Sequence, residues 1–193
     1  MSTLTLYCPT CGEELVKKHD DIANYDLWKC KKCHYILTNP NTIDISFKSK
    51  GIAKALSNLC PYPFQFEGIN CSCMEAFIQS LKVQDIAVQE DVCFKTGLFC
   101  YNIRYMFDDW RKTGTVYWKG KPINRQSKDY LMLITRAYEA LLNQSPIFHY
   151  ALSKVKENGY MLKHSIGCEE ISETLLTPNE FTAILDYLIK KHL

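Results

Sequence analysis

The chain has 193 residues, enough for one ordinary core or for a small module plus a domain of about 150 residues. Its 23 Lys and Arg nearly balance 21 Asp and Glu, so net charge neither announces a nucleic-acid partner nor excludes a local basic groove. No apolar run approaches the length of a bilayer span and the N-terminus lacks a signal-peptide core, so a cytoplasmic location with no membrane partner is expected. The ten cysteines then read as metal ligands and buried thiols rather than as disulfides.

Four of those cysteines define the first element. Cys8-Pro9-Thr10-Cys11-Gly12 and Cys30-Lys31-Lys32-Cys33-His34 are two C-x2-C pairs separated by eighteen residues. Each pair suits a tight turn that presents two thiolates, and two such turns complete the tetrahedral four-sulfur site that structural Zn²⁺ prefers. A zinc ribbon over residues 1–45 is therefore predicted, with Cys8, Cys11, Cys30 and Cys33 as ligands. His19 and His34 stay outside the ligand set because the thiolates already fill it. So short a segment cannot bury a core of its own, so metal binding supplies much of its folding free energy. Short strands are expected at Leu4–Tyr7, Glu14–Lys17, Asp26–Lys29 and Tyr35–Thr38. Lys29, Lys31 and Lys32 put a small basic cluster at the second knuckle, which is either a solvated face or a contact for nucleic acid.

Asn39-Pro40-Asn41 ends the ribbon, and Lys48–Gly51 forms the seam before a main domain over 50–193. Ser57–Lys82, SNLCPYPFQFEGINCSCMEAFIQSLK, is the most informative stretch of that domain. A strand is expected at Phe64–Glu67 and a helix after it. Glu75, Gln79 and Lys82, spaced i, i+4 and i+7, fall on one helical face, with Met74, Phe77, Ile78 and Leu81 on the other. Further on the chain reads as mostly helical, with a short strand at Thr115–Trp118. Ser127–Leu142 carries a core stripe of Leu131, Ile134, Tyr138 and Leu141. Ser145 and Pro146 open another helix that Gly159 stops. Thr177-Pro178-Asn179-Glu180 is a capping box opening a final helix through Phe181, Ile184, Leu185 and Leu188. The fold class is α+β, mainly helical, behind a small zinc-ribbon module.

Ser57, Asn58, Leu59, Tyr62, Pro63, Glu67, Gly68, Glu75, Gln79 and Lys82 together resemble the NADAR, or YbiA-like, family pattern without a gap. The likeness continues more loosely through Trp110, Trp118, Arg136 and His164–Gly167. Members of that family are associated with ADP-ribose-like ligands and with breaking N-glycosidic bonds, so the resemblance implies such an activity. This chain departs from the pattern at Lys163, at Ala76 and in the shorter Cys168–Ser172 loop, which remodels the pocket around a retained carboxylate.

Breaking an N-glycosidic bond develops positive charge on the sugar and negative charge on the departing base. Glu75 is the candidate carboxylate for the sugar, and Gln79 and Lys82 are candidates to orient ligand oxygens or a phosphate. Ser57 and Asn58 are further substrate-binding candidates, though Asn58 is equally suited to capping its own turn. Trp110 and Trp118 either stack on a base or ribose or belong to the core. His164 is either a ligand contact or an interior histidine. A second acid is expected for the leaving base, with Glu173 leading and Asp108 or Asp109 as alternatives.

The expectation is an N-glycosidase acting on nucleic acid, DNA favoured, with structural Zn²⁺ in the ribbon. The reaction is either release of ADP-ribose from a DNA base or excision of a modified base, settings that fit toxin reversal or antiviral defence. The alternatives are an N-glycosidase on a small nucleotide and a non-catalytic ADP-ribose or NAD-binding module.

Overall fold

The computed structural model describes residues 6–20, 25–37, 41–102 and 105–193. In chain order its elements are β1 (Leu15–Asp20), β2 (Tyr25–Cys30), β3 (Ile36–Leu37), β4 (Thr42–Asp44), α1 (Gly51–Ala55), β5 (Phe64–Phe66), β6 (Ile69–Cys71) and α2 (Met74–Ser80). There follow α3 (Ile86–Phe94), α4 (Gly97–Asn102), α5 (Asp109–Thr113), β7 (Thr115–Trp118), β8 (Lys121–Asn124), α6 (Lys128–Gln144), α7 (Pro146–Glu157), β9 (Met161–Lys163) and α8 (Pro178–His192). This is a mixed α/β structure with a cysteine cluster near its N-terminus. No helix among the described residues is long and apolar enough to cross a membrane.

The ribbon is the antiparallel sheet β1-β2-β3. Of the expected first strand, residues 4 and 5 lie outside the described residues, and Tyr7 makes an isolated bridge to Glu14. The expected Tyr35–Thr38 strand shortens to β3, with Thr38, Asn39 and Pro40 outside the described residues. Lys50 Nζ donates to Cys11 O at 3.0 Å and so joins the first knuckle to the start of α1.

The chain enters the larger body at β4, which pairs in parallel with β9, and Ile45 just beyond is fully buried in the main core. Two hairpins face that core. In each, a two-residue loop has both residues at positive φ: Glu67 and Gly68 at 48° and 89°, and Lys119 and Gly120 at 51° and 75°. That conformation matches the twist of the flanking strands, and glycine as the second loop residue adopts it without Cβ strain. The β7–β8 hairpin completes a strand expected from the sequence with a partner that was not, because Pro122 and flanking lysines mask β8.

Of the three long helices, α6 packs on both hairpins, and α7 and α8 pack against α6. α6 begins at Ser127, whose hydroxyl accepts from Tyr130 N at 3.1 Å. Its buried stripe is Tyr130, Leu133, Ile134, Ala137, Tyr138, Leu141 and Leu142. Leu131, expected in that stripe, is exposed, since it lies in the first turn where the arc's edge opens to solvent. α7 is capped by Ser145 with Pro146 in its first turn, and α8 opens on the expected capping box of Thr177 and Glu180. Phe66, Phe77 and Trp118 meet at centroid separations of 5.1–5.6 Å, locking α2 onto both hairpins. Burying aromatic side chains of this size contributes roughly 2–3 kcal/mol each.

Candidate functional site

The two cysteine knuckles are built alike. Gly12 N donates to Cys8 O at 2.8 Å and His34 N donates to Cys30 O at 3.1 Å. Gly12 and His34 stand one residue after the second cysteine of each pair, and both are at positive φ. His34 thus belongs to the turn that aims the thiols. The four sulfurs lie within 4.8 Å of one another, with Cys8–Cys33 at 3.3 Å and Cys11–Cys30 at 3.4 Å. A tetrahedral metal with bonds of about 2.3 Å needs sulfurs roughly 3.8 Å apart, which this cluster accommodates. The thiols polarise one another. The Cys33 N–H, the Lys32 N–H and neighbouring thiols lower the Cys30 pKa to about 6. Cys33 is pushed up to about 12, because Cys8, burial and Cys30 outweigh the Tyr35 N–H that favours its thiolate.

The second centre sits at α2. Cys73 caps this helix, its sulfur accepting from Ala76 N at 3.4 Å, and Asn58 O accepts from Glu75 N at 2.9 Å. Asn58 therefore fixes the start of the helix through its backbone. Its side-chain Oδ1 meanwhile accepts from Tyr138 OH at 2.6 Å. Glu75 is half-buried in the first turn, and Gln79 Nε2 donates to Glu75 Oε1 at 3.0 Å, the i, i+4 contact expected of the pattern.

Lys82 departs from that pattern. The helix ends at Ser80, and Lys82 N turns back to Gln79 O at 3.3 Å, beyond the regular face. The buried Gln89 holds this turn. Its Nε2 lies 2.9–3.1 Å from the carbonyls of Ser80, Val83 and Tyr117, and its Oε1 accepts from Lys119 N. Lys82 is consequently buried, with Nζ 3.4 Å from Asp108 Oδ1. Burial lowers the Lys82 pKa, Asp108 opposes that, Arg111 adds to the lowering and Glu75 opposes it. Burial likewise pushes Tyr138 up, and the negative charge of Glu75 adds to it. Glu75, Tyr138 and Lys82 therefore lie within one electrostatic neighbourhood.

A chain of charges leads outward. Asp108 pairs with both Lys82 and Arg111, and Arg111 Nε lies 3.3 Å from Glu173 Oε2. The Arg111–Glu173 contact is an ion pair rather than a well-aligned hydrogen bond, although Arg111 Nη2 donates to Glu173 O at 3.1 Å. Glu173 is thus tied into the network at its exposed end, three ion pairs from Lys82. Asp109 is exposed in the first turn of α5.

The other sequence candidates occupy structural positions. Ser57 Oγ accepts from Leu59 N at 3.4 Å within its own turn. Trp118 is buried and donates through Nε1 to Glu67 Oε2 at 2.8 Å, while Arg136 pairs with Glu67 Oε1 at 2.8 Å. His164 Nδ1 lies 2.7 Å from Ile45 O, with its ring edge-on to Phe181, which stacks on Tyr138. Trp110 is buried, and its indole N–H finds no acceptor among the described residues, an omission that costs about 1–3 kcal/mol. Sequence reading missed Gln89 and Arg125. Arg125 is fully buried and forms a two-armed pair with Glu180 at 3.0 and 2.6 Å. A lone Gln or Arg carries no periodic signal, although the capping box did single out Glu180.

Residues 50–190 match the model of a family described as bacteriophage protein GP30.3. The chain belongs to this family. It is 33% identical over 135 residues to an "Uncharacterized 17.1 kDa protein in Gp30-rIII intergenic region" of Enterobacteria phage T4, spanning 69% of this chain and 88% of the relative. No solved structure matches. The resemblance to the NADAR family is thereby corrected: the domain that carries the Asn58–Lys82 pattern is matched by the GP30.3 model instead. A short run of residues around one helix was legible as a pattern but did not fix family membership. The GP30.3 match begins after the ribbon, so the cysteine module lies outside it.

Proposed function

We propose that the main body is an N-glycosidase acting on a base–sugar bond of nucleic acid, and that the ribbon is its Zn²⁺-stabilised clamp. One observation carries this reading. A half-buried carboxylate, Glu75, is oriented by Gln79 at 3.0 Å in the neighbourhood of buried Lys82, which pairs with the half-exposed Asp108. In the proposed reaction the bond from the sugar's anomeric carbon to the base nitrogen breaks, and its electron pair leaves with the base. Glu75 stabilises the cationic sugar and takes a proton from the water that captures it. Lys82, whose burial disfavours its charged form, hands a proton to the departing nitrogen and regains one through solvent. Asn58, fixed by Tyr138, offers its amide N–H₂ to a ribose or base edge. In duplex DNA the nucleotide must leave the stack to reach such a centre.

The ribbon supports a nucleic-acid substrate through its surface. Lys17 lies over the half-buried Trp28 at 5.4 Å, on a hairpin continuing to Lys29, Lys31 and Lys32. Cations interleaved with an aromatic suit a phosphate backbone and an unstacked base. The four sulfurs suit Zn²⁺ by spacing and softness. Cys30→Ser should remove stoichiometric zinc from the purified protein by elemental analysis. Unchanged metal content would sink the zinc assignment.

The test of activity is mass spectrometry of bases and ADP-ribose released from hypermodified and from ADP-ribosylated DNA. A product that disappears with Glu75→Gln supports the reading and identifies the bond. Release that persists in Glu75→Gln, or no release from any nucleic acid, overturns it.

A further inference from the structure

A cavity of about 320 Å³ opens beside α5, walled by Trp110, Arg111, Lys112, Asn124, Arg125 and Gln126. Among the described residues, no carboxylate lines it. Asp108 and Glu173 engage Arg111 from outside, and Glu170 accepts from Ser172 at the rim. Arg125 is a wall rather than a ligand, since Glu180 and Thr174 O use its guanidinium. The remaining lining is rich in donors: the Arg111 guanidinium, the exposed Lys112 ammonium and the side-chain amides of Asn124 and Gln126. Trp110 also lines the cavity, and its buried indole N–H has no acceptor among the described residues.

We propose that this cavity is a phosphate subsite, with Arg111, Lys112 and the Trp110 indole N–H as its donors. A tetrahedral oxyanion offers several acceptors to convergent N–H groups, whereas a cation or an apolar ligand would leave these donors unmet. The indole N–H is closed to solvent, and the Arg111 guanidinium carbon lies 5.3 Å from the Trp110 ring centroid. Reaching the N–H takes a local rearrangement around Trp110, and binding exchanges part of the Arg111–Glu173 pair for phosphate. Arg111 also grips Asp108, the partner of Lys82, so the subsite is joined directly to the Glu75 centre. The proposal rests on the glycosidase reading only in naming the phosphate of a nucleotide as the group held. Occupancy of the cavity needs no turnover.

The experiment is a titration of indole-¹⁵N-labelled protein with inorganic phosphate, against chloride at matched ionic strength. Trp110→Phe identifies the Trp110 resonance among those of Trp28, Trp110 and Trp118. A saturable shift of that resonance with phosphate alone is expected, and Lys112→Gln should weaken it about tenfold without affecting the fold. No shift, the same shift with chloride, or unchanged affinity in Lys112→Gln would overturn the subsite. A nucleoside 5′-monophosphate and a dinucleotide phosphodiester form two further arms. Tighter binding of the first assigns the subsite to free nucleotides, and of the second to a nucleic-acid backbone. Phosphate binding without base release would keep the subsite and remove the glycosidase. Base release without a Trp110 shift would do the reverse.

Discussion

Glu75 and Glu180 both stand in the first turn of a helix, yet the fold treats them oppositely. Both oxygens of Glu180 are engaged, by the two arms of buried Arg125 and by the Thr177 N–H at 2.8 Å. Glu75 accepts a neutral amide N–H from Gln79, and its charge is felt by Lys82, which pairs with Asp108. A carboxylate whose charge is neutralised in place holds the fold together. In the proposed reaction, a carboxylate oriented by an amide lends its charge to the reacting centre instead.

The largest effect should come from breaking the structural member. Arg125→Met leaves the partly buried Glu180 without its cation and frees the Thr174 carbonyl, so a loss of about 3 kcal/mol is expected in urea denaturation. A loss below about 1 kcal/mol would remove the structural half of the contrast. Glu75→Gln should do the reverse. Its unfolding midpoint should hardly move, while turnover in the base-release assay falls at least about a hundredfold, or about 2.7 kcal/mol of barrier. Equal losses of stability in the two variants would erase the distinction.

Tyr138→Phe sharpens the contrast from the side of the ligand. It removes the donor at 2.6 Å from Asn58 Oδ1 and leaves that oxygen partly buried. A stability loss of about 1 kcal/mol is expected. Because Asn58 also holds the start of α2, the rate should fall with little change in the unfolding slope. A normal rate with lowered stability would make Asn58 a structural residue only.

What the sequence made legible tracks how local each signal is. The cysteine knuckles, the caps at Ser145 and Thr177, and the Glu75–Gln79 contact all rest on spacings within about one helical turn, and they stand in the structure. The spacing put Lys82 on the helix face of Glu75, and the structure takes it off that face, because the turn that ends α2 is fixed by Gln89 and by the backbone of β7. Trp118 and His164 each left two readings open, ligand contact or core. Their partners, Glu67 and the Ile45 carbonyl, lie 51 and 119 residues away, beyond any periodic pattern. The Arg125–Glu180 pair was hidden for the same reason, at a separation of 55 residues.

The smallest effect tests the Glu75 side most directly. The Lys82 pKa is lowered because burial disfavours its charge more than Asp108 favours it. Below that lowered value, Lys82 is protonated in the folded and unfolded chain alike, and folding bears the cost of burying the cation. As the pH rises past it, the folded protein sheds the proton first. Stability then grows until the unfolded lysine also titrates near ~10.4. Lys82→Met keeps the buried stem, and Arg111 remains to pair Asp108. It should therefore be slightly more stable than the natural chain at neutral pH, by up to about 1 kcal/mol. That advantage should vanish as the pH approaches the unfolded lysine value, and base release should fall sharply throughout. A variant less stable at neutral pH would show that Lys82 holds the fold as Arg125 does, and the role of proton donor would pass from it.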